Sequence, residues 1–404
     1  MSDIDKYQAL TNGYIDKNKD TYVRMSEAIH KKPELGNQEV FACELLTSYL
    51  IQEDFVVNKH IAGHETGFIA TKKSNISGPV IGLLAEYDAL KGLGHACGHN
   101  LIGLMSVSAG VALSKVVEEI GGTIVIFGCP AEEGGENGNA KESYVKANLF
   151  QDVDVTMMIH PFDQTAITAP TLAIKKFKVK FHGKPAHAAS APEKGVNALD
   201  AMILFYNAIN ALRQHVQHDV LIHGIITHGG DAPNIVPHFT EASFYLRSNF
   251  SKRCDEVFEK VVHIGEGAAI ATGCTFEYDD HYNRVKELLR CPSFDELYVV
   301  EAKKQGLDVL TENMRSVGST DTGNVSLVVP TIHPTIKICQ EGISIHTHEF
   351  EKAAGSISGF EAMIIGGKIL ASIGVDLLLD HAKLDDIKKE FETVKSKHML
   401  EQNL

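Results

Sequence analysis

Apolar positions between residues 21 and 53 recur at helical spacing and are interrupted by the turn Pro33-Glu34-Leu35-Gly36, which predicts two amphipathic helices, the second ending near Leu50. Three short runs rich in β-branched residues, 80–85, 123–127 and 155–159, have the continuous hydrophobicity of strands buried on both faces. A helical stretch over 101–117 separates the first two, so strand and helix alternate as in a parallel α/β layer. Each run is followed at once by polar chemistry: Glu86-Tyr87-Asp88, Cys129-Pro130-Ala131-Glu132-Glu133 and His160-Pro161. Ligands of open α/β sheets bind beyond the carboxyl ends of strands, so the three clusters point to one shared site, with His160 closing the third strand.

From residue 171 the pattern changes to period two. Ala173, Lys175, Phe177, Val179 and Phe181 alternate with Lys176, Lys178 and Lys180, as a half-exposed antiparallel strand would. Helical stretches at 195–215 and 251–272, with strand-like 220–227, 241–247 and 274–278, complete a small α+β sandwich over 171–284. A helix near 292–305, a strand-like 335–339 and a helix near 352–373 return to the first layer. The expected organisation is therefore one domain from 1–170 plus 285–404, with 171–284 inserted in it.

Composition narrows the function classes. With 404 residues, 44% hydrophobic and 22% charged, the chain is long and apolar enough for a real core, which excludes disorder and a disulfide-stapled miniprotein. A net charge of −14, with basic residues gathered only in pairs such as Lys31-Lys32, argues against nucleic acid and anionic membrane as partners. The N-terminus lacks a basic-then-apolar leader, and no run reaches the roughly 18 uninterrupted apolar residues of a membrane span, so a soluble, cytoplasmic protein is expected. Seven scattered cysteines, an odd number, fit reduced thiols.

Gly94-His95-Ala96-Cys97-Gly98-His99-Asn100 packs two imidazoles and a thiol among glycines. Cys97 and His99 at i, i+2 can face one metal ion from a loop, and thiolate with imidazole favours zinc or a similar divalent metal. The alternative is a His/Gly-rich turn with a buried thiol. Glu132-Glu133 has no basic neighbour, and adjacent carboxylates repel unless a cation neutralises them. One could ligate while the other acts as general base on a metal-activated water. A solvated acidic turn is the bland reading, but the apolar run before it argues for a buried strand end. His160 and His346, the latter in Ile345-His346-Thr347-His348-Glu349-Phe350, add imidazoles of the same kind. Cys97, His99, Glu133, His160 and His346 are donors enough for two divalent ions about 3.5–4 Å apart.

These residues carry a resemblance. Asp88-Ala89-Leu90, His95-Ala96-Cys97-Gly98-His99-Asn100, Pro130-Ala131-Glu132-Glu133, His160-Pro161, Gly183-Lys184-Pro185-Ala186-His187-Ala188, Asn234-Ile235-Val236-Pro237 and His346-Thr347-His348-Glu349-Phe350 occur in the order seen in metallopeptidase family 20, which the chain resembles throughout. Glu86-Tyr87-Asp88-Ala89-Leu90 with Gly318-Ser319-Thr320-Asp321 is most similar to the aminoacylase-1-like and aminobenzoyl-glutamate hydrolase subgroup.

The resemblance implies a two-domain zinc-peptidase-like fold, in which a mixed-sheet α/β catalytic domain carries an inserted α+β sandwich that serves as lid and dimerisation domain. It implies that Cys97 bridges two ions, zinc first with manganese or cobalt as alternatives, that His99, Glu133, His160 and His346 complete them, and that Glu132 is the general base. Asp88 would orient a ligand. Peptidase members have a His two residues before that Asp, where this chain has Glu86, and their bridging Asp is here Cys97. His346 is preferred to His348 for its spacing of four before Phe350. His187 would reach the partner subunit's site to polarise the scissile carbonyl, and Asn234 and Arg247 would bind the substrate's carbonyl or carboxylate. The implied activity is amide hydrolysis of a small N-acyl amino acid, aminobenzoyl-glutamate-type conjugate or dipeptide by a homo-oligomer, a dimer through the lid or a tetramer. A zinc deaminase, which needs H-x-E followed by P-C-x-x-C, and a catalytically silent binding protein on the same scaffold are the competing readings.

Overall fold

Why a chain of this composition buries so many polar side chains at one place follows from the order of its elements. The structure, a computed structural model, describes residues 2–135, 137–312 and 318–402. The chain opens with helices α1 (Asp3–Lys17), α2 (Lys19–Lys31) and α3 (Val40–Gln52), then strands β1 (Val56–Ile61), β2 (His64–Lys73) and β3 (Val80–Glu86). Helix α4 (His99–Ile120), β4 (Thr123–Cys129), α5 (Ala140–Lys146), β5 (Val155–Met157) and β6 (His160–Phe162) follow. The middle segment holds β7 (Ala173–His182), α6 (Ala198–Leu212), β8 (Leu221–His228), β9 (Phe239–Ser248), α7 (Ser251–Thr272) and β10 (Thr275–Asp279). The last part holds α8 (Pro292–Lys304), α9 (Thr322–Ser326), β11 (Thr331–Ile332), β12 (Thr335–Lys337), α10 (His348–Ala354), α11 (Ile357–Leu379) and α12 (His381–Glu401). Two units result, Met1–Thr171 with Leu288–Leu404, and Leu172–Glu287.

Among the described residues the larger unit contains a six-stranded sheet in the order β1-β2-β4-β3-β5-β11. Strand β3 is parallel to β4 and β5, and β5 to β11, whereas the β1–β2 hairpin adds to β4 in antiparallel fashion, so the sheet is mixed. Helices α4 and α11 are predominantly apolar and mostly buried, as helices enclosed by their own fold must be. By length and composition both could cross a membrane, yet 94% and 83% of their most apolar windows are buried inside the unit, where they pack on each other. Close approach is decisive at Gly103. A β-carbon there would lie 2.8 Å from the Glu86 carbonyl, so only glycine lets α4 lie against the carboxyl end of β3.

The third apolar run departs from expectation. It stops as β5 at Met157, and His160 opens β6, which pairs in parallel with β12 in a separate two-stranded sheet. The helix expected near 352–373 is likewise two helices, α10 and α11, parted at Gly355 and Ser356, whose Oγ caps α11 by accepting from Gly359 N–H.

The smaller unit is an antiparallel sheet, β10-β7-β9-β8, with α6 and α7 packed on it. Its core joins Phe177, Val179 and Phe181 of β7 to Met202, Phe205 and Phe258 of the helices. Lys175 shares that buried face, with its ammonium 4.3 Å from the centre of the Phe258 ring and 3.1 Å from Asp280.

Candidate functional site

Helix α4 begins at the site. Gly98, with φ +78°, is the turn between Cys97 and His99, and a β-carbon at Gly98 would lie 2.9 Å from the Pro161 ring. Glycine at that position therefore serves twice: it permits the left-handed backbone, and it lets Cys97 and His99 come up against β6. Cys97 Sγ and His160 Nε2 are 3.5 Å apart. The other nitrogen of His160 donates to its neighbour's carbonyl, Pro161 O, at 2.6 Å, which leaves Nε2 to face the thiol.

Asp88, just beyond β3, sets the second imidazole. Its Oδ1 accepts from His99 Nδ1 at 2.8 Å and its Oδ2 from the Glu133 backbone N–H at 3.0 Å. One carboxylate thus accepts the Nδ1 hydrogen bond of His99 and turns Nε2 inward, and also ties down the loop carrying Glu132 and Glu133. That loop turns at Ala131, φ 57°, whose N–H donates to Glu39 Oε1 at 2.9 Å. Glu39 is buried, and its other oxygen accepts from Thr66. Burial and the nearby Asp88 charge push its carboxyl up to about 7.

His346 arrives from the far end of the sequence. Its backbone is left-handed, φ 62°, its N–H donates to Ala96 O at 2.8 Å, and its Nε2 lies 3.2 Å from Glu133 Oε1. The next residue, Thr347, caps α10 through Phe350 N–H, and Phe350 is fully buried, so the ring of His346 is presented by an anchored helix start. His348 is the first residue of α10 and joins none of the donor groups. His346→Ala is expected to remove about one ion per chain, and His348→Ala none; elemental analysis of the two purified variants decides between them.

The donors fall into two overlapping sets. One atom each from Cys97, His99 and His160 lie within 4.8 Å of one another, and so do atoms of Cys97, Glu133 and His346. Cys97 is common to both. His99, Glu132 and Glu133 form a further group, with Glu132 Oε2 3.9 Å from His99 Nε2. His99 Nε2, Glu86 Oε2 and Glu133 Oε1 are buried without a hydrogen bond, a costly state that cations would relieve. The residues fit a pair of divalent ions sharing one thiolate.

The electrostatics agree. Burial pushes the Cys97 thiol up, and burial with the charge of Glu86, Glu133 and Asp321 pushes the Glu132 carboxyl up. Burial and His99 hold His160 down at about 4, a neutral ring fit to ligate. Burial opposes the His99 imidazolium, but Asp88 and Cys97 outweigh it and raise its proton affinity. A thiol and carboxylates crowd this cluster, and bound cations would offset their raised proton affinities.

Several participants were not legible in the sequence as site residues. Lys141 of α5 is fully buried and donates to Glu86 Oε1 at 2.6 Å and to Asp321 Oδ1. His333 packs on His160 with ring centres 5.4 Å apart, and burial keeps it neutral, at about 3. Glu133 also faces a cavity of about 620 Å³ lined by Leu35, Asn37, Gln38, Leu90 and Lys91, a size suited to a small molecule.

In the smaller unit, His187 is exposed and bridged to Ile235, and its Nδ1 accepts from the backbone N–H groups of Ala189 and Ser190, both at 3.2 Å. The ring proton therefore sits on Nε2. Asn234, also exposed, lies beside it, with its carbonyl accepting from Ala188 N–H. Arg247 is elsewhere. On β9 it pairs with Ile174 of β7, eight residues beyond the Phe239–His182 pair that marks the His187 end, or about 26 Å at the rise of a strand.

A family model described as the peptidase dimerisation domain matches residues 173–271. The chain is 35% identical to a mouse Xaa-Arg dipeptidase over 94% of its own length and 90% of that protein. It is 28% identical to a p-aminobenzoyl-glutamate hydrolase polypeptide of Escherichia coli, over 94% of each. A solved structure of a dinuclear metal-binding peptidase from Bacillus subtilis superposes with a TM-score of 0.65 at 19% identity, covering 90% of this chain and 99% of that one.

Proposed function

Because the chain belongs to metallopeptidase family 20, we propose that it is a two-metal amidohydrolase acting on small N-acyl amino acids, aminobenzoyl-glutamate-type conjugates or dipeptides that carry a free carboxylate. The observation that carries this reading is the pair of donor sets meeting at Cys97 with the Glu132 carboxyl beside them. Cys97, His99 and His160 would hold one ion and Cys97, Glu133 and His346 the other. Thiolate with imidazole favours zinc, with manganese and cobalt as alternatives. When bound, the ions supply Lewis-acid activation of water and of the amide carbonyl.

The protein's own groups do the rest. Asp88 holds His99 and the Glu133 loop in register. Glu132 takes a proton from the attacking water and delivers it to the departing amine, a task suited to a carboxyl whose surroundings raise its proton affinity. His187 offers Nε2–H to the carbonyl oxygen as negative charge develops there.

His187 and Arg247 cannot both reach one small substrate from one chain across about 26 Å. We therefore assign the carbonyl contact to His187 and Asn234 of one protomer and the carboxylate contact to Arg247 of the other, in a homodimer formed through the smaller unit. Edge strand β8 supports that face with exposed Leu221, Ile225 and Ile226. Seven free thiols support a reducing, cytoplasmic setting.

Hydrolysis of a panel of Xaa-Arg and other dipeptides, N-acyl amino acids and aminobenzoyl-glutamate, with and without chelator, tests the proposal alongside metal analysis. Chelator-sensitive cleavage with about two ions per chain is expected; inert protein after zinc or manganese is restored would leave only the binding-protein reading. Mixing His187→Ala with Glu132→Ala protomers should recover part of the activity that each lacks. No recovery after subunit exchange would sink the shared site.

A further inference from the structure

Glu86 ends β3 beside the donor sets and has the chemistry of a ligand. Its Oε2 is buried, makes no hydrogen bond, and lies 3.5 Å from His99 Nε2, the nitrogen that Asp88 leaves free. A carboxylate oxygen so placed is a sixth donor next to the five already assembled. Yet Glu86 groups with Glu132 and Asp321, not with Cys97 and the imidazoles.

Lys141 accounts for the difference. Its ammonium donates to Glu86 Oε1 at 2.6 Å and to Asp321 Oδ1, while its own backbone N–H donates to Asp321 Oδ2 at 3.1 Å. The lysine is therefore held at both ends by residues of separate segments, and Lys141, Glu86 and Asp321 are all 0–1% exposed. An ammonium without solvent around it cannot leave its carboxylates, and a carboxylate committed to an ammonium is a weak donor to a second cation.

We propose that Lys141 is a positioning residue that holds Glu86 out of the metal coordination shell, its ammonium standing between Glu86 and Asp321 as a built-in cation. The ion beside His99 is then limited to the donors Cys97, His99 and His160, which leaves room for substrate. The inference rests on the two-metal reading above.

The test is the visible spectrum and metal content of the full-length protein stripped and reloaded with cobalt(II), because band intensity reports coordination number. Glu86→Gln is expected to reproduce the wild-type spectrum and stoichiometry. Lys141→Met should release Glu86 into the shell and weaken the bands, and Lys141→Met/Glu86→Gln, which removes the pair together, should restore them. A Glu86→Gln protein with an altered spectrum or a lost ion would show that Glu86 is a ligand, and an unaltered Lys141→Met spectrum would show that the lysine does not restrain it; either overturns the proposal. Where Lys141→Met does not fold, Glu86→Gln and the double variant still decide, since a change in either spectrum overturns it. Wild-type protein that takes up no cobalt would instead refute the underlying two-metal reading.

Discussion

Replacing Glu132 with Gln is expected to lower turnover by about 10²–10⁴-fold while metal content stays at the wild-type level. Gln keeps the size and hydrogen bonding of the side chain but cannot take up a proton. Glu132 sits 3.9 Å from His99 Nε2 and is surrounded by the charges of Glu86, Glu133 and Asp321, so its carboxyl binds a proton more readily than a free glutamate does. A raised proton affinity, caused first by burial and then by these charges, suits a group that must take a proton from water and return it to an amine. Both bridged donor sets are complete without it. Single-turnover kinetics with metal analysis on the same sample make the check. Loss of an ion in Glu132→Gln would move Glu132 to the ligands through its grouping with His99 and Glu133, and unchanged turnover would end its role as base.

The second large effect is expected at Cys97. Cys97→Ala removes the one donor common to both sets, and metal affinity should fall by more than the roughly 10–100-fold that loss of an outer supporting residue costs. Competition with a chromogenic chelator measures it. The effect reaches stability as well, because ions at free concentration c that bind only the folded chain stabilise it by RT ln(1 + c/Kd), which grows as binding tightens. Metal-loaded wild type should therefore melt above its chelated form, and Cys97→Ala should show little of that difference. Two tightly held ions in Cys97→Ala would show that the thiolate is not the shared ligand. His346→Ala, by contrast, leaves the Cys97, His99 and His160 set whole.

The readable parts of the fold were those with a strong period. The runs at 80–85 and 123–127 are the cores of β3 and β4, and the stretch at 101–117 lies wholly inside α4, because continuous apolar character is tolerated only where an element is enclosed on every side. Helix α1 carries no such signal. Its buried face mixes Tyr7 and Ile15 with Gln8 and Thr11, and Gln8 is accommodated by hydrogen bonds to Glu301, Ser372 and Asp376, 293 to 368 positions away. Strand β1, at the sheet edge, alternates between exposed and half-buried positions, with Val56 68% exposed, so it lacks an apolar face to read. The apolar run that continues to Ile159 predicts His160 at a strand end, whereas pairing with β12 breaks that run and starts a new strand at His160.

The sequence by itself determined which chemistry the chain could perform. A thiol, imidazoles and paired carboxylates stand next to strand ends and glycines, in an order that already indicated a metal-dependent hydrolase. Local spacing settles the type of donor, since a residue's chemistry does not depend on where the chain goes. Tertiary structure decided which donor atoms meet. Asp88 selects the nitrogen His99 presents, left-handed backbone at His346 brings that ring rather than His348 to Glu133, and Cys97 becomes common to two sets. It also decided that Lys141, an unremarkable lysine in the sequence, meets Asp321, 180 positions away, around Glu86. Such contacts turn on differences of about an ångström between segments brought together by packing, and no local pattern of residues carries that information.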